Sequence, residues 1–315
     1  MGDTPGPLIL VVDDEVPIAH FVDDFLESKG FRVVLAHTGR EGLKTAVETS
    51  PDAILLDVDL PDLSGYEVCR LMRQKTTLRT KPIVMLTALS APGNELAGLK
   101  AGADDYLTKP IDTARLLARL DAAIHRNIRE LDASPLTHLP GNTSITQLIE
   151  KRIESKQPFA VLYADLNNFK AYNDRYGFLR GDQVIKLAAQ CLVGAAEAGA
   201  VDTDTFVGHI GGDDFVAIIS PERAEAVCKE VIAKFDSMVP DLYDEGDRKL
   251  GYIEGKTRQG QEVRFPLVGI SIAVVTTLVR QFSHPAEVSA LANELKAWAK
   301  SHGRSAYVVD RRRPR

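Results

Sequence analysis

Apolar residues in the first 125 positions come in short runs, separated by stretches whose apolar positions recur every three or four residues. The runs Leu8–Val12, Arg32–Ala36, Ala53–Leu56, Ile83–Thr87 and Asp105–Thr108 are mostly continuous rather than alternating, which predicts strands buried on both faces. The stretches between them, near 16–29, 39–48, 64–73, 92–101 and 112–131, predict helices. Strand and helix in regular alternation predict an α/β domain over 8–125, a doubly wound, five-stranded parallel sheet. Pro61, Pro92 and Pro110 fall in the expected loops. Leu117, Leu120, Ile124, Ile128 and Leu131 carry the helical period past the expected end of that domain. A connector helix over 112–133 follows, either packed on its own sheet or paired with a second copy as a stalk.

Beyond the turn-rich segment 132–142 the pattern changes. Helices are expected over 143–156, 173–198, 221–237 and 285–301. Strands are expected at Phe159–Ala164, Phe206–Ile210, Asp214–Ile219, Phe265–Thr276 and Ala306–Val309. Hairpins mixed with crossover helices predict a second, α+β domain over 134–310 with a mixed sheet. The segment 241–263 is rich in charge and glycine and reads as a solvent-facing insertion, with Tyr252–Glu254 and Gln261–Val263 able to pair as a hairpin.

Composition narrows the field. A chain of 315 residues, 44% hydrophobic, can bury two ordinary cores. A formal charge of −6 and the lack of a basic recognition helix argue against a nucleic-acid partner. Cys69, Cys191 and Cys228 show no Cys-x-x-Cys spacing and read as buried thiols in a reducing compartment. The first residues lack a basic leader, and Leu8–Val12 is too short to span a bilayer. No membrane insertion and a cytoplasmic location are therefore expected. The histidines show no metal-ligand spacing, and His209 reads as packed in the sheet.

Two acidic constellations carry the chemistry. Asp13 and Asp14 follow the first strand and Asp57 ends the third, all at the carboxyl edge where open parallel sheets bind ligands. Three carboxylates there suit Mg²⁺ and leave an oxygen free to attack a phosphoryl group. Thr87 offers a hydroxyl and Lys109 a cation at the same edge. In the second domain Asp165 ends a strand, and the turn Gly211–Gly212 projects Asp213 and Asp214 toward it. Backbone N–H groups over 167–170, including Phe169 and Lys170, can form a nest for phosphate oxygens.

Residues 8–125 resemble a response-regulator receiver domain. The resemblance implies Asp57 as phospho-acceptor, Asp13, Asp14 and Asp57 as Mg²⁺ ligands, and Thr87, Tyr106 and Lys109 as the switch residues. A sensor histidine kinase would be the phosphoryl donor. Residues 134–310 resemble the GGDEF domain of diguanylate cyclases, which condense two GTP into cyclic di-GMP. Leu136–Pro140, Asp165–Gly177 and Gly181–Asp182 carry that likeness. It implies Mg²⁺ held by Asp165, Asp213 and the Leu166 carbonyl, Asp214 as the catalytic carboxylate, guanine contacts from Asn173 and Asp182, and phosphate contacts from Lys300 and Arg304. The family's chemistry needs two such domains face to face, hence a homodimer.

This chain departs from the pattern. Asp214 stands where glutamate is usual, Ala273 replaces a glycine, and Asn293 replaces an aspartate. Asp202 and Thr205 occupy the product-inhibition motif, so no inhibitory site is expected. A phosphorylation-regulated diguanylate cyclase is the first expectation. The alternative is a catalytically silent domain that binds GTP or cyclic di-GMP and signals through protein contacts.

Overall fold

The computed structural model describes residues 6–87, 101–198, 205–256, 262–301 and 303–312, which divide into two compact units at the Leu131/Asp132 boundary. The helix expected over 92–101 lies almost wholly outside the described residues.

In the first unit, β1 (Leu8–Val12), β2 (Arg32–Ala36), β3 (Ala53–Asp57), β4 (Ile83–Thr87) and β5 (Asp105–Thr108) form a sheet in the order β2-β1-β3-β4-β5. Every pairing is parallel, and the order turns back between β1 and β3, where ligands bind in such sheets. Alternate side chains divide between two cores, because successive residues of a strand point to opposite faces. Ile9, Val11, Leu55 and Leu86 pack with α1 (Val16–Ser28) and α4 (Thr113–Asp132). Leu10, Val12, Ile54 and Met85 pack with α2 (Gly39–Thr49) and α3 (Gly65–Gln74). Sequence sets the helix starts: Thr38 caps α2, and Ser64 with Glu67 forms a reciprocal capping box on α3.

Helix α4 is the expected connector. Leu116, Leu120, Ala123 and Ile124 are buried against the first sheet and Ile128 packs at the rim, so this face is taken by the unit's own core. Only at Leu131 does the stripe reach solvent, with 61% of that residue exposed.

The second unit is a mixed sheet in the order β12-β11-β6-β8-β7. Here β6 is Ala160–Asn167, β7 Phe206–Gly211, β8 Asp214–Ile219, β11 Gly269–Thr276 and β12 Ala306–Val309. β11 and β8 flank β6 antiparallel, and β12 lies parallel to β11. One face carries α7 (Phe178–Glu197) and α8 (Ala224–Met238) on Leu162, Ala164 and Leu166. The other carries α5 (Asn142–Ser155) and α10 (Pro285–Lys300) on Val161, Tyr163, Val216 and Ile218.

Two expectations need correction here. The helix expected over 173–198 is two helices, α6 (Phe169–Tyr176) and α7, broken at Gly177, whose φ of 80° stops the helix. The segment 241–263 is not a free excursion. It folds as the short helix α9 (Glu245–Leu250) followed by the expected hairpin pairing, β9 (Tyr252–Lys256) antiparallel to β10 (Glu262–Pro266), with Gln261 outside the described residues. Its start is docked on α6 and α7. Tyr243 meets Tyr172 edge-on at 4.9 Å, Tyr176 donates to Asp247, and Arg180 pairs with Asp244 at 2.8 Å over the Tyr176 ring.

Asp132 anchors the start of the second unit. Its carboxylate accepts from the N–H groups of Gly141, Thr143 and Ser144, the otherwise unpaired donors at the start of α5. Burial opposes its ionisation, yet the hydrogen bonds from Ser144 and Thr143 override burial and hold the carboxyl below its ordinary value. We expect Asp132→Ala to cost the second unit about 1 kcal/mol near neutral pH, the usual worth of such a cap. A depressed folded pKa means this contribution is present above the unfolded value of 3.8 and fades as pH falls through the lower folded value. Urea denaturation of both forms across that range would show the gap closing.

Candidate functional site

The carboxyl edge of the first sheet gathers its acidic residues as expected. Carboxylate oxygens of Asp13, Asp14 and Asp57 lie within 4.8 Å of one another. Asp13 and Asp57 are almost fully buried, and Asp14 faces solvent. Lys109 Nζ stands 2.8 Å from Asp57 Oδ2, 2.9 Å from Asp13 Oδ2 and 3.0 Å from Glu15. Asp13 Oδ1 accepts from the Glu15 amide, and its buried Oδ2 faces Lys109. Burial, the largest effect, raises the Asp57 carboxyl above its ordinary range; the Lys109 hydrogen bond opposes it and the Asp13 charge adds to it. For Lys109, burial works against the charge, but hydrogen bonds to Asp57, Asp13 and Glu15 outweigh it and raise the ammonium pKa.

Thr87 ends β4 beside Thr108, and its carbonyl accepts from the Lys109 amide. Tyr106 sits two pairs earlier in register, opposite Met85, with the Arg119 guanidinium 5.9 Å from its ring centre. Four carboxylates against one ammonium leave this edge strongly negative. With three of the carboxylates within 4.8 Å of one another, it fits a hard divalent cation. Glu15 was not foreseen, although the run Asp13-Asp14-Glu15 is the signal that could have found it.

The second constellation is built differently. Asp165 and Asp214 are direct cross-strand partners, so their side chains leave the sheet on one face. That face is the one α10 covers. Lys296 Nζ lies 3.0 Å from Asp165 Oδ2 and 2.5 Å from Asp214 Oδ1, bridging the two. One turn later Lys300 Nζ lies 2.6 Å from Asp165 Oδ1. Burial works against the Lys296 charge, but the hydrogen bonds to Asp214 and Asp165 prevail and raise its pKa.

Asp213 sits in the turn, out of register with Asp165, and among the described residues only Asp13, Asp14 and Asp57 form a three-carboxylate group. Two ammonium groups already cancel Asp165 and Asp214, so the constellation as folded does not fit a divalent cation. Lys300 contacts the Asp165 carboxylate. Arg304 is exposed, and its carbonyl accepts from Asn167. Lys296 was missed because it reads as one more polar position of an amphipathic helix. Its spacing of four from Lys300 is the only signal that it shares that residue's face.

Around the predicted guanine contacts, α6 and α7 approach closely. A Cβ on Gly181 would lie 1.9 Å from Asn173 Oδ1, so only glycine permits the contact. That Oδ1 is buried and has no hydrogen-bond partner, and Asp182 follows Gly181 directly, half-buried. Asn168, at φ 59°, starts α6; Phe169 is buried beneath it and Lys170 is exposed. Leu166 lies within β6 and its side chain is in the core.

His209 packs in the sheet. Its ring stacks on Phe215 at 4.4 Å. Because the Gly212 carbonyl can only accept, Nε2 carries the proton and donates to it at 3.0 Å. Nδ1 then accepts from the hydroxyls of Ser134 and Thr137 at 2.9 and 3.0 Å. The histidine thus ties the segment after α4 to the glycine turn. In the product-inhibition motif, Asp202 lies outside the described residues, and Thr205 accepts from Arg223.

Comparison with known proteins agrees with this division. Residues 9–121 match the response regulator receiver domain, and residues 132–251 match the diguanylate cyclase GGDEF domain. The chain therefore carries a response-regulator receiver domain followed by a GGDEF domain. The second match ends at Gly251, ahead of β11 and of the two lysines on α10. A curated relative, the response regulator ArlR of Staphylococcus saprophyticus, is 42% identical over 118 residues. That likeness covers 38% of this chain and 52% of the relative, so the chain spans about half of the relative's length. A putative response regulator of Chloroflexus aurantiacus is 36% identical, with 38% of this chain and 99% of that one covered and a TM-score of 0.38. The receiver domain of a sensor histidine kinase of Pseudomonas aeruginosa, solved with a magnesium ion in its active site cleft, is 37% identical, with 38% and 98% covered and a TM-score of 0.37. Among the described residues no helix is long and apolar enough to cross a membrane.

We expect His209→Phe to keep the stack on Phe215 but strand the Gly212 carbonyl and two hydroxyls. That should cost the second unit about 1–2 kcal/mol, read as a lower urea midpoint with an unchanged slope.

Proposed function

We propose that this chain is a response regulator in which phosphorylation at Asp57 controls a guanine-nucleotide-binding GGDEF unit that turns over weakly or not at all. In the first unit, Asp57 acts as nucleophile toward a phosphohistidine of a sensor kinase: an oxygen–phosphorus bond forms and the donor's nitrogen–phosphorus bond breaks. Lys109, already on Asp57 Oδ2, is placed to pair with the incoming phosphoryl oxygens. Asp13, Asp14 and Asp57 would hold Mg²⁺, which when bound offsets the phosphoryl charge. The added phosphoryl charge biases a two-state surface of the receiver, with Thr87 and Tyr106 as the responding side chains and homodimerisation as the output.

The observation that carries the nucleotide assignment is the buried, unpartnered Oδ1 of Asn173 beside Asp182. Asp182 can accept from the ring N–H and the exocyclic amine of guanine together, a pair adenine does not offer. Asn173 supplies a further acceptor at the same place. Lys300 and Arg304 supply positive charge for the phosphates. Cyclisation of two GTP to cyclic di-GMP is the second reading, supported by Asp165 and Asp213 and by the carboxylate that Asp214 keeps in place of the usual glutamate. The Lys296 bridge weighs against it, since it ties up both Asp165 and Asp214.

Fluorescent GTP should bind the full chain, and Asp182→Ala should weaken that binding about tenfold or more, the worth of a charged hydrogen-bond pair. Binding of the ATP counterpart should not change between the two. Incubation with GTP and beryllofluoride, which mimics phospho-Asp57, should leave GTP intact on chromatography. Cyclic di-GMP that disappears in Asp165→Asn and Asp214→Asn would establish the cyclase instead.

A further inference from the structure

The two acidic constellations differ in how their negative charge is compensated. At the first sheet edge one lysine faces four carboxylates. In the second unit Lys296 and Lys300 face two. A divalent cation bridging Asp165 Oδ2 and Asp214 Oδ1 would sit about 2 Å from each oxygen. Lys296 Nζ, at 3.0 and 2.5 Å from the same two atoms, already occupies that space.

We propose that Lys296 is a built-in counter-ion standing in for the divalent cation of the second unit, and that with Lys300 it lets the unit hold nucleotide phosphates without metal. Three features support the assignment. Antiparallel pairing places the two carboxylates side by side, so one cation must serve both. Lys296 and Lys300 lie in the last turns of α10, where the helix end favours positive charge. The Lys296 side chain is 18% exposed and that of Asp165 5%, so separating the pair would leave a poorly solvated charge behind. An ammonium neutralises phosphate oxygens, but it is not the Lewis acid that would lower the pKa of an attacking hydroxyl. Retention of nucleotide without turnover follows.

The proposal deepens the nucleotide reading and rests on it for the identity of the ligand, so the decisive measurement is made without nucleotide. Mn²⁺ binding to the full chain would be counted by electron paramagnetic resonance in an Asp13→Asn background, which disables the receiver site. With Lys296 present, no tight Mn²⁺ should remain. Adding Lys296→Met, or Lys296→Gln as a second variant, should create a site that tightens Mn²⁺ binding by more than about tenfold. Tight Mn²⁺ in the Asp13→Asn protein itself would overturn the proposal, whatever the folding of the other variants. So would a folded Lys296→Met or Lys296→Gln protein that gains none. Fluorescent GTP, added afterwards in EDTA or in Mg²⁺, should bind the wild-type chain alike in both. Failure of GTP to bind in either condition would remove the nucleotide reading and leave the metal count standing.

Discussion

Like charges forced together at the ends of strands are the constraint on which both units turn. A sheet fixes the spacing of opposed residues, so carboxylates on neighbouring strands cannot separate to relieve repulsion. Some cation has to be brought to them. In the first unit it is Lys109, delivered by the loop after β5 and outnumbered by the acids. In the second it is Lys296, delivered by a helix and matched by Lys300. One edge keeps more acids than cations; at the other two ammonium groups face two carboxylates.

This contrast separates sites that look alike when only their acidic residues are counted. Asp13, Asp14 and Asp57 form an open site because the basic residue beside them is single. Asp165 and Asp214 form a closed one because α10 crosses the same face of the sheet. Chemistry depends on what the covering element carries, and here that element lies beyond the reach of the GGDEF match, which ends at Gly251.

Much of the first unit was legible because its strands are apolar on both faces and its acids end those strands. The parallel order and the positions of Asp57 and Lys109 follow from that pattern. The second unit was legible in its strands and its glycine turn. Less visible was anything set by packing across long sequence distances. Lys296 meets Asp165 from 131 positions away, and nothing local marks it. The docking of 241–263 depends on three tyrosines, Tyr172, Tyr176 and Tyr243, meeting in space; charge and glycine content alone made the segment look solvated. The break at Gly177 was readable in principle from the glycine, but the helical period runs on through it.

The order of segments along the chain also has a bearing on biogenesis. Asp165, Asn173 and Asp182 emerge from the ribosome before the segments that surround them. The partners that complete their surroundings, Tyr243, β11, Lys296 and Lys300, follow later. During synthesis the strand bearing Asp165 would stay without its antiparallel neighbour β11 until the chain had been made past Thr276. A truncated translation product would therefore present an unsealed strand edge and an unbalanced pair of acids, features that quality-control machinery can distinguish from the finished molecule.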